Sequence, residues 1–171
     1  MIVALADTHG TDGHRLDGRL LDAVRTAELV VHAGDFTTES VLNAFEAESR
    51  EFVAVQGNNA TPAVRDRLPA ERTIEFEGVR IALTHGDDRD ETGLGLFGRQ
   101  ERADLVISGH SHRPEVVDAG AVTLLNPGSH ADPRWYRPGY AELAVDSDSN
   151  RLDGRLREPD GTSFEEFDVG L

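Results

Sequence analysis

The sequence predicts an α/β (α+β) fold in which two β-sheets stack as a sandwich flanked by helices. Three observations carry that expectation. Short apolar runs of strand length recur along the chain, each ending in a polar group. Apolar residues at helical spacing separate the first three runs, and the second half of the chain turns to hairpins and alternating strands.

In order, Ile2-Val3-Ala4-Leu5-Ala6 is the first strand, and Leu16, Leu20, Leu21 and Val24 recur at helical spacing behind it. Leu29-Val30-Val31 is the second strand, Val41, Leu42 and Phe45 mark a second helix, and Phe52-Val53-Ala54-Val55 is the third strand. Strand-helix-strand alternation implies parallel pairing through right-handed crossovers. Such strands are buried on both faces, so the polar residue after each is the first one free to do chemistry. Thr61-Pro62 reads as an N-cap with proline in the first turn of a short helix. Thr73-Ile74-Glu75-Phe76 and Val79-Arg80-Ile81 then flank Glu77-Gly78 as an antiparallel hairpin. Ile81-Ala82-Leu83 and Leu105-Val106-Ile107 are further apolar runs, with a helix expected between them over Gly95 to Arg102. Strands are expected at Glu115 to Asp118, Ala121 to Leu125, Tyr140 to Val145, Leu152 to Arg157 and Phe164 to Val169, with a turn over Asp146 to Asn150. No linker or charge block divides the 171 residues, so residues 1–171 read as one domain.

Composition narrows the setting. The first strand follows the N-terminus directly, and no run is long enough to cross a bilayer, so a cytoplasmic protein is expected. Cysteine is absent, which excludes disulfides and thiolate catalysis and leaves nitrogen and oxygen as metal ligands. There are 32 acidic against 17 basic residues, net −15, and every basic residue is Arg. A lysine-free acidic surface fits the high-salt cytoplasm of a halophilic archaeon, where screening tolerates self-repulsion. An Arg-favouring, GC-rich genome is the alternative source of that bias. In either case a diffuse negative field argues against duplex nucleic acid or an anionic membrane as partner, while leaving room for a homo-oligomer.

Five polar signatures end the apolar runs: Asp7-Thr8-His9, Gly34-Asp35, Gly57-Asn58-Asn59, His85-Gly86 and Gly109-His110-Ser111-His112. A divalent ion needs several fixed lone pairs. Asp7 with His9 supplies two from one short loop, the intervening Thr8 letting both side chains point one way. His110 and His112 repeat that spacing. Asp35 has two carboxylate oxygens and can bridge two cations, while Asn58 offers a neutral carbonyl oxygen. One Asp-x-His is weak; five signatures, each after an apolar run, are specific.

On these residues the chain resembles the calcineurin-like metallophosphoesterases, in particular their small bacterial and archaeal phosphodiesterases. The likeness runs through Asn126-Pro127-Gly128-Ser129 to about Arg134 and implies a four-layer αββα arrangement. It implies two divalent ions, one held by Asp7, His9, Asp35 and His112, the other by Asp35, Asn58, His85 and His110, with Asp35 as bridge. Such a pair polarises phosphoryl oxygens and lowers the pKa of a shared water, so no Ser, Cys or Lys nucleophile is required. Mixed oxygen and imidazole ligands favour Mn²⁺, with Fe, Zn, Co or Ni as other occupants. The substrate implied is a small phosphodiester or nucleotide-like ester. A phosphomonoesterase on the same site, and a non-enzymatic scaffold like the retromer subunit that resembles these enzymes, are the alternatives.

Two departures stand out. Many members of the larger family carry His after the metal-binding Asn, implied to protonate the leaving oxygen. Here Asn59 takes that catalytic position, and an amide cannot deliver a proton. Ala60 stands where small phosphodiesterases tend to have Asp. Arg113 and Arg134 are the candidates to bind the substrate's phosphate, against a reading as solvated surface. His32 either orients a metal ligand or is a buried His satisfied by backbone. His14 and His130 read as solvated loop histidines, against a substrate-facing role, Asn126 to Ser129 as a tight loop beneath the site, and Asp87, Asp88, Asp90 and Glu91 as a solvated acidic loop.

Overall fold

The computed structural model describes residues 1–146 and 151–170, so the turn expected over Asp146 to Asn150 falls largely outside the described residues. The first half alternates as expected: β1 (Ile2–Leu5), α1 (Gly18–Thr26), β2 (Leu29–His32), α2 (Glu39–Glu48), β3 (Phe52–Ala54) and α3 (Pro62–Arg67). Next come β4 (Glu71–Phe76), β5 (Val79–Thr84), α4 (Glu91–Glu101), β6 (Leu105–Ile107), β7 (Glu115–Asp118) and β8 (Thr123–Asn126). The chain closes with β9 (Tyr140–Asp146), β10 (Arg151–Arg157) and β11 (Ser163–Val169).

These strands form two sheets. The six-stranded one runs β11-β10-β9-β1-β2-β3, and the five-stranded one runs β4-β5-β6-β8-β7. β1, β2 and β3 pair in parallel, as do β5, β6 and β8, while β9 and β7 join their neighbours antiparallel. Every residue of β1 and β2 is buried, as their continuous apolar composition requires. Glu77 (φ 48°) and Gly78 (φ 87°) make the two-residue turn between β4 and β5, with the left-handed backbone at both positions that matches strand twist.

Three apolar layers follow. Ile2, Ala4, Val31, Ile81, Leu105, Leu125 and Leu143 belong to the core between the sheets. The opposite face of the six-stranded sheet, with Val3, Leu5 and Val30, is covered by Leu20, Val24, Leu42 and Phe45 of α1 and α2. Phe97 of α4 covers Ala82, Val106 and Leu124 on the outside of the five-stranded sheet. The result is a helix–sheet–sheet–helix sandwich with the parallel strands aimed at one end.

The structure corrects the sequence reading near α4. The helix starts at Glu91, not Gly95, because the Asp90 carboxylate accepts from the Gly93 N–H at 2.8 Å and caps it. Asp90 and Glu91 are therefore a cap and a first turn, while Asp87 and Asp88 remain exposed. Glycines obscure this helix's period, yet Gly98 needs to be small: a Cβ there would lie 2.7 Å from both Val106 and Val122. Thr61 stands at the N-cap of α3, but its side chain makes no capping bond. Among the described residues no helix is long and apolar enough to cross a membrane.

Candidate metal centre

The loops leaving β1, β2, β3, β5 and β6 meet where the two sheets face each other. Their backbone is unusual. Asp7 (φ 54°), His9 (50°), Asp35 (63°), His110 (67°) and His112 (60°) all occupy the left-handed region that side chains normally avoid. Such strain persists only where surrounding bonds impose it, and it clusters at functional sites. Here Asp7 N–H donates to Gly34 O and His9 N–H to Asp35 O, both at 3.0 Å, and Gly109 N–H donates to His85 O at 3.1 Å. Thr8, between Asp7 and His9, points the other way, where its hydroxyl meets His32 Nε2 at 2.9 Å.

Two clusters of donor atoms result, Asp7 with His9 and His112, and Asp7 with Asp35 and His85, each with its atoms within 4.8 Å of one another. In the second, His85 Nδ1 meets the Ala33 carbonyl at 2.8 Å and so carries the ring's proton. Its Nε2 then faces Asn58 Oδ1 at 3.0 Å and Asp35 Oδ2 at 3.3 Å. Three lone-pair atoms thus converge, an arrangement that a cation satisfies. Without one, a second proton on His85 serves: burial lowers its pKa, but Asp35, with Asp7 and the Ala33 carbonyl, outweighs burial and raises it. In the first cluster, His112 donates from Nδ1 to the Asp132 carbonyl, and its Nε2 lies 3.1 Å from His9 Nε2 and 3.6 Å from Asp7 Oδ1. The His9 and His112 rings stack with centroids 4.9 Å apart, and burial lowers both pKa values, keeping them neutral with lone pairs available.

Asp35 Oδ2 lies between the clusters, 3.5 Å from His9 Nε2 as well as 3.3 Å from His85 Nε2. Burial raises the Asp35 carboxyl, but His85 and two donors from Asn59 outweigh it and hold it well below the usual range. Burial pushes Asp7 up to about 7, with Asp35 adding to the rise. Asp7 Oδ1 accepts from His110 N–H at 3.1 Å, while its Oδ2 is buried with no partner. An orphaned carboxylate oxygen beside neutral imidazoles is a donor set that a divalent ion would satisfy.

Six of the seven expected ligands are brought into contact. The seventh, His110, is exposed at the rim, with its ring edge-on to His85 at 5.4 Å. Asn59 faces Asp35: its backbone N–H donates to Oδ1 at 2.9 Å and its Nδ2 to Oδ2 at 2.8 Å. Arg113 is exposed and paired with Glu115 at 3.1 Å, away from the donor clusters. Arg134 is half exposed, and its charge reaches Asp7, His9 and His112. His32 is fully buried; its Nδ1 accepts from Gly34 N–H at 3.2 Å, so it joins the loops that carry Asp7 and Asp35. The Asn126 to Ser129 loop lies beneath the site as expected, Ser129 Oγ donating to the Asp7 carbonyl at 2.7 Å.

Two features escaped the sequence reading. A cavity of about 310 Å³ beside the second cluster is lined by Asn58, Glu71, His85, Arg65 and Arg89. Arg65 reaches it by folding back on the carbonyls of Asn58 and Ala60 in the loop just before it, both at 3.0 Å. His14 and His130 are packed together, not solvated: His130 Nε2 donates to the His14 carbonyl at 2.9 Å and its Nδ1 is enclosed. Burial lowers the His130 imidazole from 6.5 to about 4. The fold accepts the neutral ring, so its contribution is fully present above the unfolded value and is lost as pH falls toward the folded one, about 3 kcal/mol in all. Wild type should therefore lose more unfolding free energy between pH ~7.5 and ~4.5 than His130→Gln, by denaturant titration in chelator. Parallel pH curves for the two proteins would disprove the assignment.

Comparison with known proteins agrees with this geometry. Residues 1–148 match the calcineurin-like phosphoesterase superfamily domain. A probable metallophosphoesterase of Methanothermobacter thermautotrophicus is 33% identical over 91% of this chain and 91% of its own length. A phosphodiesterase of Methanocaldococcus jannaschii is 25% identical over 59% of this chain and 66% of its own. Among solved structures, wild-type Vps29 complexed with zinc from Entamoeba histolytica superposes with a TM-score of 0.78 at 22% identity, covering 99% of both chains. Fold and site together define a phosphoesterase of the metal-binding kind. The chain belongs to the calcineurin-like phosphoesterase superfamily.

Proposed function

We propose that the protein is a metal-dependent phosphodiesterase acting on a small, nucleotide-like ester. The observation that carries this reading is the convergence of donor atoms from five loops, three of them strained, with Asp7, its Oδ2 unpartnered, common to both clusters. Asp7, His9, Asp35 and His112 would hold one divalent ion and Asp35, Asn58, His85 and His110 the other, with Mn²⁺ favoured by the mixed donors. Bound there, the ions supply Lewis-acid activation of the phosphoryl group and of water near neutral pH.

The chain's own residues do the rest. Ala33 O and Asp132 O fix the tautomers of His85 and His112, so that Nε2 of each faces inward. Asn59 grips both oxygens of Asp35 and holds its plane, which makes it a positioning residue first. Its amide has no proton to give a leaving oxygen, so rates should fall steeply as the leaving group's pKa rises. Arg134 adds positive charge beside the first cluster for the phosphate's free oxygens. The Methanocaldococcus jannaschii relative supports diester over monoester chemistry. The scaffold reading, favoured by the Vps29 likeness, gives no reason for five donor loops to converge, three of them in strained turns.

Chelator-treated protein, assayed in molar salt to suit its acidic, lysine-free surface, should be inactive on an activated aryl phosphodiester. Mn²⁺ should restore turnover, with about two ions retained per chain. Full turnover in chelator would overturn the proposal.

A further inference from the structure

The exposed large apolar residues among those described are Leu96, Trp135 and Tyr136. Leu96 lies on α4, on the outside of the five-stranded sheet. Trp135 and Tyr136 are adjacent, and Trp135 is 93% exposed although a Trp ring normally buries most of its surface. They sit in the turn Pro133-Arg134-Trp135-Tyr136, closed by Tyr136 N–H donating to Pro133 O at 2.9 Å, with Arg134 at φ 53°.

That turn is tied to the metal centre. His112 Nδ1 donates to the Asp132 carbonyl, and Asp132 N–H donates to Ser129 Oγ at 2.8 Å. Ser129 Oγ in turn donates to the Asp7 carbonyl at 2.7 Å, and Gly139 N–H closes the loop on Ser129 O at 3.1 Å. Trp135 is three residues beyond Asp132, so its Cα lies within about 11 Å of the residue holding His112. Arg137 is already engaged, over the Phe164 ring at 4.8 Å and beside Glu158 at 3.4 Å. Arg134 meets Asp132 Oδ2 only at 4.0 Å.

We propose that Trp135, with Tyr136 beside it, is the platform on which the nucleobase of a nucleotide-sized substrate stacks while Arg134 meets its phosphate. This rests on the phosphodiesterase reading and deepens it. An aromatic face next to a cation, one turn from phosphate chemistry, matches the two ends of a nucleotide. Two side chains on one turn are too small a patch for a stable protein partner. The net charge of −15 disfavours a long polyanion, so the ligand is a mononucleotide or a short diester.

Trp135 is the chain's single tryptophan, so its emission reports on this turn alone. Titrating metal-loaded protein in molar salt with adenosine monophosphate should quench that emission saturably, whereas ribose 5-phosphate should not. Calorimetry should find the nucleotide bound about tenfold tighter than the sugar phosphate. Trp135→Ala should abolish that difference without weakening the sugar phosphate, and Trp135→Phe should retain most of it. Equal affinities for the two ligands, or an equal loss of both in Trp135→Ala, would overturn the platform and leave the phosphodiesterase reading standing. Self-association that disappears in Trp135→Ala, with nucleotide affinity unchanged, would overturn it in favour of a second copy of the chain. Binding of neither ligand would overturn the platform, while the phosphodiesterase reading stands or falls separately on Mn²⁺-restored turnover of the aryl diester.

Discussion

Asp35→Ala is expected to lose its divalent ions and at least about 100-fold of turnover. Its Oδ2 is the atom shared by the surroundings of His9 and His85. The stability effect should depend on metal. In chelator, Asp35 and Asp7 are two buried acids whose proximity helps push Asp7 up to about 7, and removing one relieves that repulsion while stranding the donors of Asn59. With metal present, wild type gains the binding free energy and the variant does not. Metal analysis and thermal scans with and without chelator check this. A variant that still rises in Tm on adding Mn²⁺ would place the ions elsewhere.

Gly57→Ala is expected to damage the protein as severely without deleting any functional group. A Cβ at Gly57 would fall 2.0 Å from Asp35 Oδ1 and 2.3 Å from Asp35 N. The second contact is to backbone, so a side-chain rotation cannot relieve it, and the β2 and β3 loops must separate. Overpacking of this kind costs about 3 kcal/mol or more, and the displacement draws Asn58 and Asn59 away from His85 and Asp35. The expected result is a lower denaturant midpoint together with near-complete loss of metal-dependent turnover. Wild-type stability and activity would show that the loops part freely.

The layered fold was legible because β1, β2, β3, β5 and β6 carry unbroken apolar runs, and their burial leaves no other composition open to them. The ligand residues were legible because they follow those runs. What the sequence hid was set by which groups a side chain settles against, near or far along the chain. Asp90 looked like part of an acidic loop until Gly93 N–H gave it a cap to make. His130 looked like a solvated loop residue because nothing local reveals that the chain folds it against His14 and Phe45. Arg65 and Arg89 entered the cavity from α3 and the loop after β5, whereas Arg113, expected to meet phosphate with its planar fork, turns to Glu115.

Each donor cluster is split between the sheets: Asp7, His9 and Asp35 leave strands of the six-stranded sheet, and His85 and His112 leave strands of the five-stranded one. The core between them is apolar, and such contacts have little direction, so they resist separation better than they resist sliding. The bonds from His85 to Ala33, from Ser129 to Asp7 and from His110 to Asp7 cross the seam at this one end. A slide of either sheet by one residue, about 3.3 Å, would carry its donors out of reach of those on the other sheet. The centre is thus a gauge of assembly as well as a place for chemistry: a chain that binds metal has docked its two halves in register, and metal retention can serve as a direct assay of correct folding.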